Sequence, residues 1–271
     1  MPKHRLIATL LVHQGKVVQT RKFKPTNVVG SPFTAVEFFN TWAIDEILIV
    51  EISPTKDYLE LFVEILEELS RRCFVPLTVG GKIENLDLVH RYTRAGADKV
   101  IVNTHALENP GLIGDIGASF GSQCVVVSID SRPNREMPSG YEAVGNRGTE
   151  PSGRDALDWA REATDAGAGE ILVNSVEFDG DKRGYDLGLI RLMSENLSVP
   201  IIAMGGVGEW SHLVEGITEG RADAVAAGNI FHYTEHSTKI AKEYMIEAGQ
   251  NVRVPVFHTI DMPRLPKYRP Y

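Results

Sequence analysis

The sequence predicts an α/β protein, a single (β/α)8 TIM barrel, on three observations. Short β-branched runs alternate with amphipathic stretches, the chain repeats itself once at long range, and 271 residues with 43% hydrophobic content suit one barrel-sized core.

Arg5 to Val12 reads as the first strand and Ile47-Leu48-Ile49-Val50 as the second. Between Tyr58 and Leu69 the apolar Tyr58, Leu59, Phe62, Ile65, Leu66 and Leu69 recur at helical spacing, with Glu60, Glu64, Glu67 and Glu68 largely between them. That pattern predicts an outer helix with one buried face. Pro76-Leu77-Thr78-Val79 and Lys99-Val100-Ile101-Val102 continue the strands, with a helix from Leu86 to Ala95 between them. Strands separated by helices must run parallel.

The repeat fixes the organisation. Leu77 to Ile83 is matched by Ala203 to Gly208, with Gly80 and Gly205 standing 125 residues apart. Ala97 to Asn103 is matched by Ala222 to Gly228 at the same distance, and Glu46 by Glu170 at 124. Units of that length are half-barrels rather than solenoid repeats. The barrel is predicted over 1–250, in halves of about 1–121 and 122–250, with a Pro-rich extended tail over 251–271. The basic tail residues Arg264, Lys267 and Arg269 suit either a docking segment or an unordered extension.

Leu11 and Asp130 then end the first strand of each half, 119 residues apart. A barrel enzyme places its chemistry at strand ends, and here one half ends in an acid and the other in a leucine.

A net charge of −8 leaves no basic footprint for nucleic acid. Cys73 and Cys124 lack the spacing of a disulfide framework or a zinc site, which predicts a reducing, cytoplasmic setting. The N-terminal apolar run is too short for a signal or a spanning helix. Cys124 is expected inside a strand as a small buried hydrophobe.

Thr78-Val79-Gly80-Gly81, Gly96-Ala97-Asp98-Lys99-Val100, Asn103-Thr104, Glu108-Asn109-Pro110, Phe120-Gly121-Ser122-Gln123, Gly167 to Leu172 and Gly184-Tyr185-Asp186 occur in order. Together they resemble the cyclase subunit of imidazole glycerol phosphate synthase, up to about Arg253. The resemblance implies catalytic aspartates at positions 11 and 130, of which only Asp130 is present. Ring closure needs a general acid and a general base, so cyclase activity is expected to be very low. Glu51 stands for a family aspartate and Gln19 for a family lysine.

The resemblance also implies two phosphate sites. One uses Gly80, Gly81 and Lys82 with Asn103 and Thr104, Lys82 replacing a third glycine. The other uses Asp179, Gly180, Gly205, Gly206, Gly228 and Asn229, with Asp181 in place of a threonine. A carboxylate there is expected to face the phosphate dianion and weaken that site. Arg5, Glu46, Lys99 and Glu170 match the family's ammonia gate, and Asp98 matches a residue at the surface facing a glutaminase partner. The alternative for these four charges is a salt-bridge plug closing the barrel floor.

Leu10-Leu11-Val12 and Lys22-Phe23-Lys24 resemble a branch associated with acetamidino-sugar pathways of surface polysaccharides. There the barrel is thought to pass ammonia to a separate sugar amidotransferase. Lys82 and Glu177-Phe178 depart from that branch. The competing expectation is a true cyclase that has recruited Glu51 or His13 as its base, and a scaffold without ammonia transfer is a third.

Asp130 reads either as a working acid or as a strand-end carboxylate held by backbone N–H groups. His105 reads as structural, and His232 with His236 lack a third metal ligand. No cofactor or metal is implied.

Overall fold

In the computed structural model, residues 3–233 and 236–254 are described. Eight parallel strands form the barrel: β1 (Arg5–His13), β2 (Glu46–Glu51), β3 (Leu77–Gly80), β4 (Lys99–Val102), β5 (Val125–Pro133), β6 (Glu170–Ser175), β7 (Ile201–Met204) and β8 (Ala224–Ala227). Each strand pairs with the next, and β8 returns to β1 with Arg5 opposite Ala224, so the ring has no open edge.

Among the described residues, eight helices of nine or more residues cover the outside: α1 (Pro32–Thr41), α2 (Leu59–Ser70), α3 (Leu86–Arg94), α4 (Gly111–Phe120), α5 (Ala156–Asp165), α6 (Leu187–Asn196), α7 (Trp210–Thr218) and α8 (Ser237–Glu247). Alternate strand residues point outward, so Leu6, Ala8 and Leu10 pack with Phe62, Tyr92 and Trp159 in one layer beneath the helices. The residues between them point inward. Ile7, Leu48, Ile101, Val126, Leu172, Ile202, Ala224 and Ala226 form a separate apolar cluster inside the barrel.

The halves match in detail. Each first strand is extended beyond the barrel and joined to an antiparallel hairpin, Lys16–Arg21 with Lys24–Gly30 after β1, and Tyr141–Gly145 with Glu150–Asp155 after β5. At the opposite end Asp98 accepts from the Leu77 N–H at 2.8 Å, and Asp223 accepts from the Ile201 N–H at 2.9 Å. Asp98 is exposed and thus also clasps two strands.

Some local expectations change. Cys124 lies in a 3-10 turn (Ser122–Cys124) and is half-buried, because β5 begins one residue later. Trp42 packs edge-on against His236, and Trp210 stacks on Phe231, both outside the barrel. Of the tail, Val252 bridges to His4, and Arg253 donates to Asp45 at 2.9 Å. The basic residues Arg264, Lys267 and Arg269 lie outside the described residues.

Candidate functional site

The strands' C-terminal ends enclose a cavity of about 300 Å³. Leu11, Glu51, Lys82, Asn103, Asp130 and Arg147 border it, carried by different strands and by the second hairpin. Leu11 and Asp130 therefore do face one space, as the half-barrel symmetry predicts.

Asp130 is 9% exposed. Its Oδ2 accepts from the Asn103 amide at 2.6 Å and its Oδ1 from the Ser128 hydroxyl at 2.9 Å. Burial outweighs these bonds and raises its pKa to about 7, with Asp179 adding to the rise. Near neutrality this group can either hold or release a proton. Leu11, on the same wall, can do neither.

Glu51 is 3% exposed, with Oε1 accepting from the Ser53 N–H at 2.5 Å and Oε2 unpartnered. Burial raises its pKa, against the pull of Ser53, Lys82 and His13. Of the two substitute bases, Glu51 borders the cavity and His13 is not among its lining residues. The turn after β3 folds tightly against Glu51: a Cβ at Gly81 would sit 2.3 Å from the Glu51 carbonyl oxygen, and Gly81 has φ +102°. Lys82 follows at φ +61°, a left-handed conformation that favours glycine.

The two sets of phosphate-site residues are unlike in place and charge. Gly81, Lys82, Asn103 and Thr104 border the cavity; of the second set only Asp179 does. The first hairpin lies over the second set. Asp179 accepts from the Thr20 hydroxyl at 3.1 Å and the Phe23 N–H at 2.8 Å, and the Asn229 amide donates to the Thr20 carbonyl at 2.8 Å. Gly180 fits only because it has no Cβ, which would meet the Thr20 carbonyl at 2.3 Å. Asp181 is not a bare charge facing a dianion: Arg21 pairs with it at 3.0 Å and Arg183 at 3.3 Å. The expected repulsion is thus offset by two guanidiniums.

His105 sits between Glu108 and Glu84, at 2.9 and 3.1 Å. Burial pushes the His232 pKa down to about 4. Among the described residues no group of three or more His, Cys, Asp or Glu side chains is placed to hold a metal ion. Gln19 is buried and its Oε1 accepts from Asn27 at 3.3 Å.

At the other mouth Arg5, Glu46, Lys99 and Glu170 form a closed ring. Arg5 reaches Glu46 at 2.7 Å and Glu170 at 2.9 Å, and Lys99 reaches the same two at 3.2 and 3.0 Å. Thr78 adds a bond to Glu46 at 2.7 Å. Burial disfavours the Arg5 charge, but Glu170 and Glu46 together outweigh it and raise its pKa. The apolar cluster lies between this ring and the cavity.

A fold with one face rich in ionisable groups hosts many chemistries, so kinship decides more than shape. The sequence profile of the family described as "Histidine biosynthesis protein" matches residues 5–237. A Vibrio vulnificus (strain YJ016) protein named "Putative imidazole glycerol phosphate synthase subunit hisF2" is 41% identical over 254 residues, covering 94% of this chain and 92% of that protein. The chain belongs to this family. It is a HisF-like barrel subunit. No helix among the described residues is long and apolar enough to cross a membrane.

Several cavity residues carried no sequence signal. Arg147 reaches the wall only because the second hairpin turns at Asn146, whose N–H is held by the Thr104 hydroxyl at 2.9 Å. Ser128 could have been found as the inward neighbour two residues before Asp130 on the same strand, and Asn174 as the residue opposite Asp130 on β6.

Proposed function

We propose that this HisF-like subunit receives ammonia from a class I glutaminase docked at its N-terminal face and conveys it through the barrel to an acceptor at the C-terminal face. Leu11 carries the reading: ring closure needs two proton-transfer groups at the cavity, and the position that mirrors the retained acid Asp130 in the other half-barrel is a leucine. The ion ring supports it. Four alternating charges satisfy one another without water and part when a docking partner competes for them. The apolar cluster above offers a neutral ammonia molecule a path that excludes ions.

The acceptor reaction is proposed to belong to acetamidino-sugar synthesis for surface polysaccharides, with a sugar amidotransferase at the C-terminal face. Leu10-Leu11-Val12 and Lys22-Phe23-Lys24 support this.

One observation favours a second reading, a working imidazole glycerol phosphate cyclase. Glu51 borders the same cavity as Asp130 and keeps one carboxylate oxygen unpartnered. Turnover of the phosphoribulosyl substrate with ammonium salts separates the two readings. The conduit predicts negligible imidazole product; robust turnover that Glu51→Gln abolishes establishes the cyclase and overturns the conduit.

A further inference from the structure

The two hairpins at the active face differ at their outer edges. In the second, the outer strand Glu150–Asp155 is closed off: Asp155 caps α5, and Arg154 lies over the Trp159 ring at 4.5 Å and donates to the Leu107 carbonyl at 3.2 Å. In the first, the outer strand Lys24–Gly30 pairs with Lys16–Arg21, and its other side meets no strand among the described residues. Six of its seven residues are exposed, Val28 at 63% and Val29 at 40%. Lys24 and Pro25 blunt the start of this edge, so residues 26–30 are its open part.

The hairpin is anchored. Its tip turns through Lys22 at φ +49° and Phe23 at φ +63°, the left-handed pair of a tight hairpin turn. The Lys22 N–H donates to the Asp179 carbonyl at 2.9 Å and the Phe23 N–H to the Asp179 carboxylate at 2.8 Å. An edge ordered in advance has less conformational freedom to lose on binding. Phe23 borders the cavity, so the edge stands at the delivery end of the barrel.

Its charge has one sign. No side-chain carboxylate precedes Glu37 in a chain of net charge −8, and the hairpin carries Lys16, Arg21, Lys22 and Lys24. Arg21 and Lys22 pair with Asp181 and Glu177. Lys16 and Lys24 are exposed and close no ion pair among the described residues.

Where the open edge ends, a groove of about 490 Å³ begins, with Val29, Phe38, Phe39, Phe231 and Tyr233 among its lining residues. His232 on its wall is neutral at physiological pH, because burial lowers its pKa to about 4. Such a groove takes an apolar side chain. A free backbone edge beside a side-chain groove is the arrangement that holds an extended peptide by strand addition, the ladder giving affinity and the groove specificity.

We infer that the first hairpin docks the acceptor enzyme by strand addition: residues 26–30 pair with an acidic, extended segment of that enzyme, and an apolar side chain of the segment enters the groove beside Val29. The inference rests on the proposed function for the presence of a sugar amidotransferase at the C-terminal face. It adds where that enzyme sits and what segment it offers.

The test is analytical ultracentrifugation of the full chain with the cognate sugar amidotransferase, with stimulation of the glutaminase assayed separately. A complex is expected. Lys24→Glu and Val28→Glu are each expected to weaken it by about tenfold or more, since each sets a negative charge against an acidic segment. Both side chains are exposed, so melting temperatures are expected to hold. Raising the salt from about 0.1 to about 1 M is expected to weaken the complex, and the amides of residues 26–30 are expected to exchange hydrogen more slowly within it. Both variants are expected to stimulate the glutaminase as wild type does, because the proposed glutaminase face is the opposite one. A glutaminase that ignores the chain defeats the conduit alone, and a missing amidotransferase complex beside a stimulated glutaminase overturns this inference alone. The inference is also overturned by a complex that both variants leave unchanged, by unaltered exchange at residues 26–30, or by a dimer of this chain through the same edge in place of the complex.

Discussion

The Asn103 amide donates to the Asp130 carboxylate at 2.6 Å, yet Asp130 holds its proton up to about pH 7. Burial is the larger effect, so the folded protein binds a proton there that the unfolded chain releases near 3.8. Stability from this group is full below that lower value and is lost as pH rises through about 7. Between pH 5 and 8 the wild type is expected to lose about 2–3 kcal/mol from Asp130, a loss that Asp130→Asn removes. Urea unfolding of both proteins at the two pH values checks it.

The ion ring predicts an asymmetry. Glu46 is 2% exposed and binds Arg5, Lys99 and Thr78, so Glu46→Ala leaves two part-buried cations sharing Glu170. Removing one member of a buried pair costs about 3–5 kcal/mol, and the partial exposure of Arg5 places this variant at the lower end. Thermal melts are expected to show Glu46→Ala as far more damaging than Glu68→Ala, whose partners are exposed arginines on the outer surface.

A second buried charge holds the barrel's lower rim. The Lys242 ammonium donates to Asp45 at 2.5 Å with its side chain fully buried, and Asp45 also accepts from the Leu6 N–H at 2.9 Å. Asp45→Ala is expected to destabilise by about 3–5 kcal/mol, and Asp45→Ala with Lys242→Met by less than Asp45→Ala alone. Chemical denaturation of the three variants measures the coupling.

Leu11→Asp returns a carboxylate to the cavity wall. It is expected to destabilise by about 1–3 kcal/mol, because a polar group replaces an apolar contact. Ammonia-dependent formation of imidazole product is expected to rise about a hundredfold or more above wild type, the low end for one added proton-transfer group. Product assay by chromatography tests this. No rise at all means that Leu11 is not what disables ring closure.

The barrel was legible because its strands are β-branched runs and its repeat carries Gly80 onto Gly205, signals that survive in sequence alone. The same symmetry located Asp130 and Leu11 on one face and paired Glu46 with Glu170, whereas Arg5 and Lys99 came into the ring only through the family resemblance. What could not be read depends on long-range closure. Arg21 and Asp181 are 160 residues apart, and their pairing follows from the first hairpin folding onto the loop after β6. Lys82 was visible as an odd residue in a glycine turn, but its company with Arg147 exists only once the second hairpin is in place.

The most direct test of the conduit measures glutamine hydrolysis by the cognate glutaminase with and without this chain. A conduit forms a stable complex, stimulates hydrolysis, and loses nitrogen transfer to the acceptor when Lys99 or Glu46 is replaced. A glutaminase that neither binds the chain nor changes its rate contradicts it.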